Sequence, residues 1–158
     1  IEAFNNIAPS HDVELVLAGP IGWGVTPEEL LASLDEAAKN KIRIIGEVTT
    51  AQLAALYTDA SAFCYPSLLE GFGLPVLEAM SYNTPVVTSK GTATEEVAGD
   101  AALMVDPASV DEVSDALDFL LTSESEAQKL ADRGYQRSKT FSWDATAAAT
   151  VDVYRKLT

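Results

Sequence analysis

"SAFCYPSLLEGFGLPVLEAM", residues 61–80, decides how the rest of this chain is read. It opens on a short apolar run, passes through two glycines, and ends in a second apolar run headed by a proline. The first run is too short for a core helix and suits a strand over 61–67. Pro75 suits the first turn of a helix, where its missing N–H costs nothing. Gly71 and Gly73 allow a tight turn and a close approach to the backbone. The window therefore reads as strand, glycine turn and helix, the helix running over 75–82.

Working outward, similar Val-, Ile- and Leu-rich runs lie at 13–19, 41–46, 85–89 and 102–106. None alternates strictly, so both faces are expected to be buried, as in parallel strands covered by helices. Helical patterns fill the intervals at 27–39, 50–58, 93–98, 109–122, 124–139 and 143–157. Their starts carry capping signals: Thr26-Pro27-Glu28-Glu29, Thr49 with Gln52, Ser109 with Glu112, Ser123 with Glu126, and Ser142. Asn40 and Gly134 suit a helix end or a break. "IEAFNNI", residues 1–7, reads as the tail of an amphipathic helix. The alternation predicts an α/β fold, a doubly wound Rossmann-like domain with a parallel sheet. Ligands of such sheets bind at the carboxyl ends of the strands. The loops at 19–26, 46–49, 66–74, 89–94 and 106–109 are then where a site is expected.

Composition bounds the partners. The 158 residues suit one domain over 1–158, and 47% apolar content is enough for a core. A net charge of -14 argues against a nucleic-acid backbone or an anionic lipid surface as partner. A small anion held by backbone N–H groups stays compatible with it. No apolar stretch approaches the roughly 18–20 residues that a membrane span needs. The single cysteine, Cys64, excludes an internal disulfide and a cysteine-based zinc site, and reads as a buried small hydrophobe. His11 reads as a surface residue, and Tyr65 and Pro66 as residues that shape their loop. Trp23 reads as loop packing, with ligand stacking as the alternative. The chain opens in mid-pattern without a Met, so it is expected to be a piece of a longer protein.

Glu70 and Glu78 flank the glycine turn. The backbone amides of Phe72, Gly73 and Leu74 sit where a helix N-terminus holds an anion such as a diphosphate. Glu78, one turn into the helix, can accept from a ribose diol, and Glu70 from sugar hydroxyls. That set suits a nucleotide sugar. Spacing alone leaves a second reading open, a solvated helix glutamate and a loop charge.

"EGFGLPVLE", residues 70–78, resembles the E-x7-E signature of the retaining "group 1" glycosyltransferases of GT-B architecture. "LVLAGPIGWG", "PVVTS", "GTATEEVAGDAALMVDP" and "FSWDATAAATVDVYRKL" agree with that family in order, so the likeness covers almost the whole chain. The resemblance implies the carboxy-terminal, donor-binding half. It places Glu70 near the donor hexose and the reacting centre. Gly71, Phe72, Gly73 and Leu74 fall at the sugar or phosphate, Glu78 at the ribose, and Gly46, Glu47 and Val48 at the nucleobase. Ala18 to Pro20 would line the phosphate side. No cofactor or metal is implied; the donor would be a GDP- or UDP-sugar, with a mannose-like hexose as the guess. The implied acceptor is a glycan or lipid. The expected location is cytoplasmic, with the inner face of a membrane as an alternative for the longer protein.

The match is incomplete in ways that carry expectations. The family's first central strand, its glycine turn and an Arg/Lys pair at the diphosphate precede Ile1. The sheet should therefore show a gap between strands 13–19 and 61–67, or those two should pair directly. No basic residue lies between 44 and 89; Lys90 is the nearest, so donor affinity should be weak. The acceptor-binding amino-terminal domain is expected as the missing partner, with 141–158 crossing back to it. Without that domain the fragment is expected to be inactive, and Trp143, Val151 and Tyr154 partly uncovered, favouring self-association. The competing functions are a non-catalytic nucleotide-sugar-binding or regulatory domain, and a phosphoacceptor signalling domain. The last lacks an aspartate at the end of a central strand.

Overall fold

The computed structural model describes residues 1–20, 26–32 and 34–157, so Trp23 lies outside the described residues. Its elements run α1 (Glu2–Ile7), β1 (Leu15–Ala18), α2 (Pro27–Ala32), α3 (Glu36–Lys39), β2 (Ile42–Gly46), α4 (Thr50–Asp59) and β3 (Phe63–Tyr65). They continue with α5 (Leu74–Ser81), β4 (Val86–Ser89), α6 (Ala93–Ala98), β5 (Leu103–Val105), α7 (Val110–Thr122), α8 (Glu124–Ser138) and α9 (Trp143–Lys156). Every strand pairing is parallel, as in a doubly wound α/β domain.

The sheet is divided. Among the described residues β1 pairs only with β2, while β3, β4 and β5 form a second sheet in that order. The expected gap between β1 and β3 is present; direct pairing of those strands does not occur. α1 joins the two parts. Its Phe4 and Ile7, with the C-cap Ala8, are buried with Ala38 against Val13, Leu15 and Ile42 on one side and Leu117 and Leu121 of α7 on the other. Its Ala3 belongs to the cluster of Val87, Val105, Val113 and Leu130. Polar ties reinforce the joint: Lys41 Nζ donates to the carbonyls of Ala8 and His11, at 2.9 and 2.6 Å.

Burial on both faces holds for β4, whose four residues are all buried. It fails for β1 and β2. β1 alternates between half-buried and exposed residues, and Ile44 and Ile45 of β2 are exposed. The reason is the division of the sheet: this two-stranded ladder packs one face on α1 and α3, and no described helix covers the other.

The helix expected over 27–39 is two, α2 and α3. At the break Leu34 turns inward, and the extended Asp35 gives its N–H to Asn5 Oδ1 at 3.0 Å instead of a helical carbonyl. Thr26 with Glu29 and Thr49 with Gln52 form full capping boxes. Ser142 also caps its helix. Ser109 accepts from Glu112 N–H, but the Glu112 carboxylate is drawn away to Asp106 N–H (2.8 Å) and Lys90. Ser123 makes no side-chain cap; the N–H of Glu126 bonds Ser123 O at 2.9 Å, and Ser123 N–H bonds Phe119 O at the end of α7.

Gly134 neither ends nor breaks a helix. It lies inside α8, buried against α5, where an added Cβ would stand 3.1 Å from Met80 Cγ. The position serves close helix packing. His11 is also not a surface residue: its ring is 11% exposed and sits 2.7 Å from Asp118 Oδ1. Cys64 is half-buried beside the Val87 cluster, and burial pushes its thiol up to about 11.

Candidate functional site

The site begins at the carboxyl end of β3. Ser67 N–H turns back to Tyr65 O at 3.0 Å, so the chain leaves the sheet at once. It re-enters regular structure at Gly73, the N-cap of α5, with φ +98 in the left-handed region that favours glycine. Space imposes the same choice, since a Cβ there would lie 2.7 Å from Thr94 Cγ2. Pro75 stands in the first turn of α5, and Val76 and Leu77 both donate to Gly73 O. The N–H groups of Phe72, Gly73 and Leu74 precede or open the helix, so none has an intrahelical acceptor. A helix end of this kind can accept an anion.

The two carboxylates flank that end, each held by a tyrosine. Tyr65 donates its hydroxyl to Glu70 Oε1 at 2.5 Å, and Ser67 Oγ donates to the same oxygen at 3.1 Å. Tyr57, on α4, donates to Glu78 Oε2 at 3.3 Å. The rings form a continuous series. Tyr82 stacks on Tyr57, Tyr57 meets Phe63 edge-on with centroids 5.2 Å apart, and Phe63 stacks on Tyr65 at 5.8 Å. The Tyr65 hydroxyl is held up to about 12, first by the hydrogen bond to Glu70, then by burial and the Glu70 charge. Tyr57 is raised further, by burial and then by Glu78. Both phenols are therefore donors, and never bases, at neutral pH.

Phe72 is exposed on one side and set edge-on to Phe141 on the other, with centroids 6.0 Å apart. Arg137 lies over the Phe141 ring at 4.8 Å and donates to Val97 O and Glu96 O at the end of α6. These residues and Gly71 line a small cavity of about 120 Å³ behind the loop.

At the carboxyl ends of β1 and β2, Gly19 N–H donates to Gly46 O at 2.8 Å, which ties the Ala18–Pro20 loop to Gly46, Glu47 and Val48. Gly46 has φ +66 and Glu47 is exposed. Thr49 then caps α4, which carries Tyr57 to Glu78. Lys90 does not face Glu70 or Glu78; its ammonium bonds both oxygens of Glu112, at 3.1 and 3.2 Å. The Glu112 carboxyl lies below the ordinary range, first through Asp106 N–H and then through Lys90. Glu95 accepts Gly91 N–H at 2.6 Å, just before the start of α6.

Sequence reasoning placed Glu70, Gly71, Phe72, Gly73, Leu74 and Glu78 at one loop and helix start, and the structure brings them together there. It missed Tyr57, Ser67, Arg137 and Phe141, and took Tyr65 for a residue that only shapes its loop. The available signal was the chemistry of a strand-end tyrosine five residues before a glutamate. Among the described residues no group of three or more His, Cys, Asp or Glu could hold a metal ion, and no helix is long and apolar enough to cross a membrane.

Comparison with known proteins identifies the family. A family model described as "Glycosyl transferases group 1" matches residues 1–137. The chain is 40% identical over 145 residues to the O-antigen chain mannosyltransferase B of Escherichia coli, covering 90% of this chain and 37% of that protein. It is 38% identical over 160 residues to the MMP alpha-(1->4)-mannosyltransferase of Mycolicibacterium hassiacum, covering 99% of this chain and 38% of that protein. The sucrose-phosphate synthase structure from Thermosynechococcus elongatus superposes with a TM-score of 0.81 at 25% identity, over 99% of this chain and 41% of that one. The chain thus spans less than two fifths of the length of these two mannosyltransferases.

Proposed function

We propose a donor-binding role from the premise that this chain belongs to the group 1 glycosyltransferases. In this reading it binds a nucleoside diphosphate hexose for a retaining transfer to a glycan or lipid hydroxyl. The observation that carries it is the placement of Glu70 and Glu78 on either side of the open N-terminus of α5. A diphosphate lies against the amides of Phe72, Gly73 and Leu74, where the helix dipole offsets its charge. The ribose diol donates to Glu78, whose Oε1 has no bond to Tyr57. The hexose hydroxyls donate to Glu70. Gly46, Glu47 and Val48 edge the nucleobase, chiefly through backbone groups. The donor is a GDP- or UDP-sugar; the mannosyltransferase relatives favour a mannose-like hexose.

Charge in the reaction develops on the hexose and on the leaving diphosphate. Amides already fixed at α5 stabilise the latter without reorganising. Lys90 is engaged by Glu112, so no basic side chain of the described residues is assigned to the phosphates, and donor affinity is weak. Transfer also needs the acceptor-binding portion, against which α9, exposed along its whole length, is assigned to pack. This chain by itself is then inactive.

Calorimetry with UDP, GDP and their hexose conjugates tests the binding role. Binding of a nucleotide sugar in preference to inorganic phosphate is expected; no binding of any nucleotide overturns it. Incubation with nucleotide sugars and glycan or lipid acceptors tests the rest. Transfer above background by this chain alone would contradict its assigned inactivity.

A further inference from the structure

Glu70 is not a free loop carboxylate. Its Oε1 already accepts from Tyr65 OH at 2.5 Å and from Ser67 Oγ at 3.1 Å. The Ser67 proton is shared with Leu69 O, also at 3.1 Å, which keeps that hydroxyl in place. Tyr65 has little freedom of its own. Its ring stacks on Phe63, and its carbonyl accepts from Thr88 Oγ1 at 3.0 Å and from Ser67 N–H at 3.0 Å. Thr88 is fully buried in the central strand β4. The orientation of Glu70 is thus referred back, through Tyr65, to a fully buried residue of the central strand.

A carboxylate offers about four acceptor positions on two oxygens. Two donors on Oε1 occupy that oxygen and stop rotation of the group, which leaves Oε2 as its open acceptor. We propose that Tyr65, assisted by Ser67, is a positioning residue that makes Glu70 a one-sided acceptor, presenting Oε2 alone to the donor hexose. This rests on the reading that Glu70 faces the sugar. Preorientation matters because a freely turning carboxylate must lose that freedom when the sugar binds, whereas a held one has lost it on folding. Tyr57 provides the internal comparison. It makes an analogous contact with Glu78, but at 3.3 Å and with a residue assigned to the nucleotide.

The experiment is a double-mutant cycle on the full chain with Tyr65→Phe, Glu70→Gln and both together. Affinity is measured for a nucleoside diphosphate and for its hexose conjugate. Tyr65→Phe keeps the ring and its stacking and removes only the hydroxyl. It is expected to leave the nucleoside diphosphate within about 2-fold and to weaken the hexose conjugate roughly 5- to 20-fold, near the low end of one charge-assisted hydrogen bond because the sugar keeps its own bond to Glu70. In the Glu70→Gln background the same change is expected to have a diminished effect, since an amide oxygen accepts the Tyr65 hydroxyl more weakly than a carboxylate does. Ser67→Ala is expected to shift the hexose conjugate in the same direction by less. Tyr57→Phe is expected to weaken both ligands equally.

Equal losses for both ligands in Tyr65→Phe, an unchanged hexose increment, or an undiminished effect without Glu70 would each overturn the proposal. Failure of the unmutated chain to bind any nucleotide would overturn the donor-site reading itself, and this proposal with it. The two failures are distinguishable because the second appears before any substitution is made.

Discussion

Gly73 and Thr94 touch so closely that a Cβ on the glycine would stand 2.7 Å from Thr94 Cγ2, closer than carbon atoms pack. That contact sets the loop that carries Glu70 against α6. Gly73→Ala adds left-handed strain at φ +98 to the steric overlap, and is expected to cost about 1–3 kcal/mol in urea unfolding. Adding Thr94→Ser removes Cγ2 and is expected to recover part of the loss while the strain stays. An unchanged midpoint for Gly73→Ala would show the loop to be looser than described.

Gly134 and Met80 make the matching contact between α8 and α5. Gly134→Leu forces a long side chain into a seam with an atom already 3.1 Å from the first carbon, at an expected cost of about 1–3 kcal/mol. Gly134→Ala is expected to be close to neutral. Its gain in helix propensity, about 1 kcal/mol, is set against a small shift of the unbranched Met80. Thermal unfolding of the two variants checks this, and equal stability of Gly134→Leu would refute the packing account.

Glu78→Gln is expected to reduce nucleoside diphosphate affinity roughly 10- to 100-fold, the range for hydrogen bonds to a charged group. Stability is expected to change little, because Glu78 is exposed and its Tyr57 contact is long. Calorimetry with UDP and GDP measures the first effect and urea unfolding the second. A nucleotide affinity that survives the change would move the ribose elsewhere.

The Cys64 thiol is pushed up from about 9 to about 11 by burial. Two pH units lower the thiolate fraction near pH 8 roughly 100-fold, so a disulfide reagent should react at least that much more slowly with folded than with unfolded chain. The raised value means that the folded state holds its proton longer. The associated stability is therefore present below about pH 9 and is lost as pH rises toward 11. Native reactivity equal to that in urea would contradict the burial.

Much of the fold was legible because its signals are local. All five strands and the helices from α4 onward lie within a residue or two of their expected bounds. Short apolar runs, Pro75 and the caps at Thr49 and Ser142 act on their own neighbours. Several expectations failed because another residue had intervened. Asn5 claims the N–H of Asp35 and divides the helix read over 27–39, and Asp106 and Lys90 take the Glu112 carboxylate from its capping box. Met80 gives Gly134 a use that helix punctuation does not suggest.

The candidate site divides the same way. The residue order alone determined the strand, the glycine turn, a helix start near Pro75, and the presence of Glu70 and Glu78 on either side, because each is a property of neighbouring residues. Only the tertiary structure decided what those carboxylates are bound to. Tyr57 lies 21 residues from Glu78, and Tyr65 reaches Glu70 only because the loop folds back over the end of β3. Packing of Phe63 between the two tyrosines fixes both hydroxyls. Hydrogen bonds of that kind depend on distances across the folded core, which spacing along a chain does not encode.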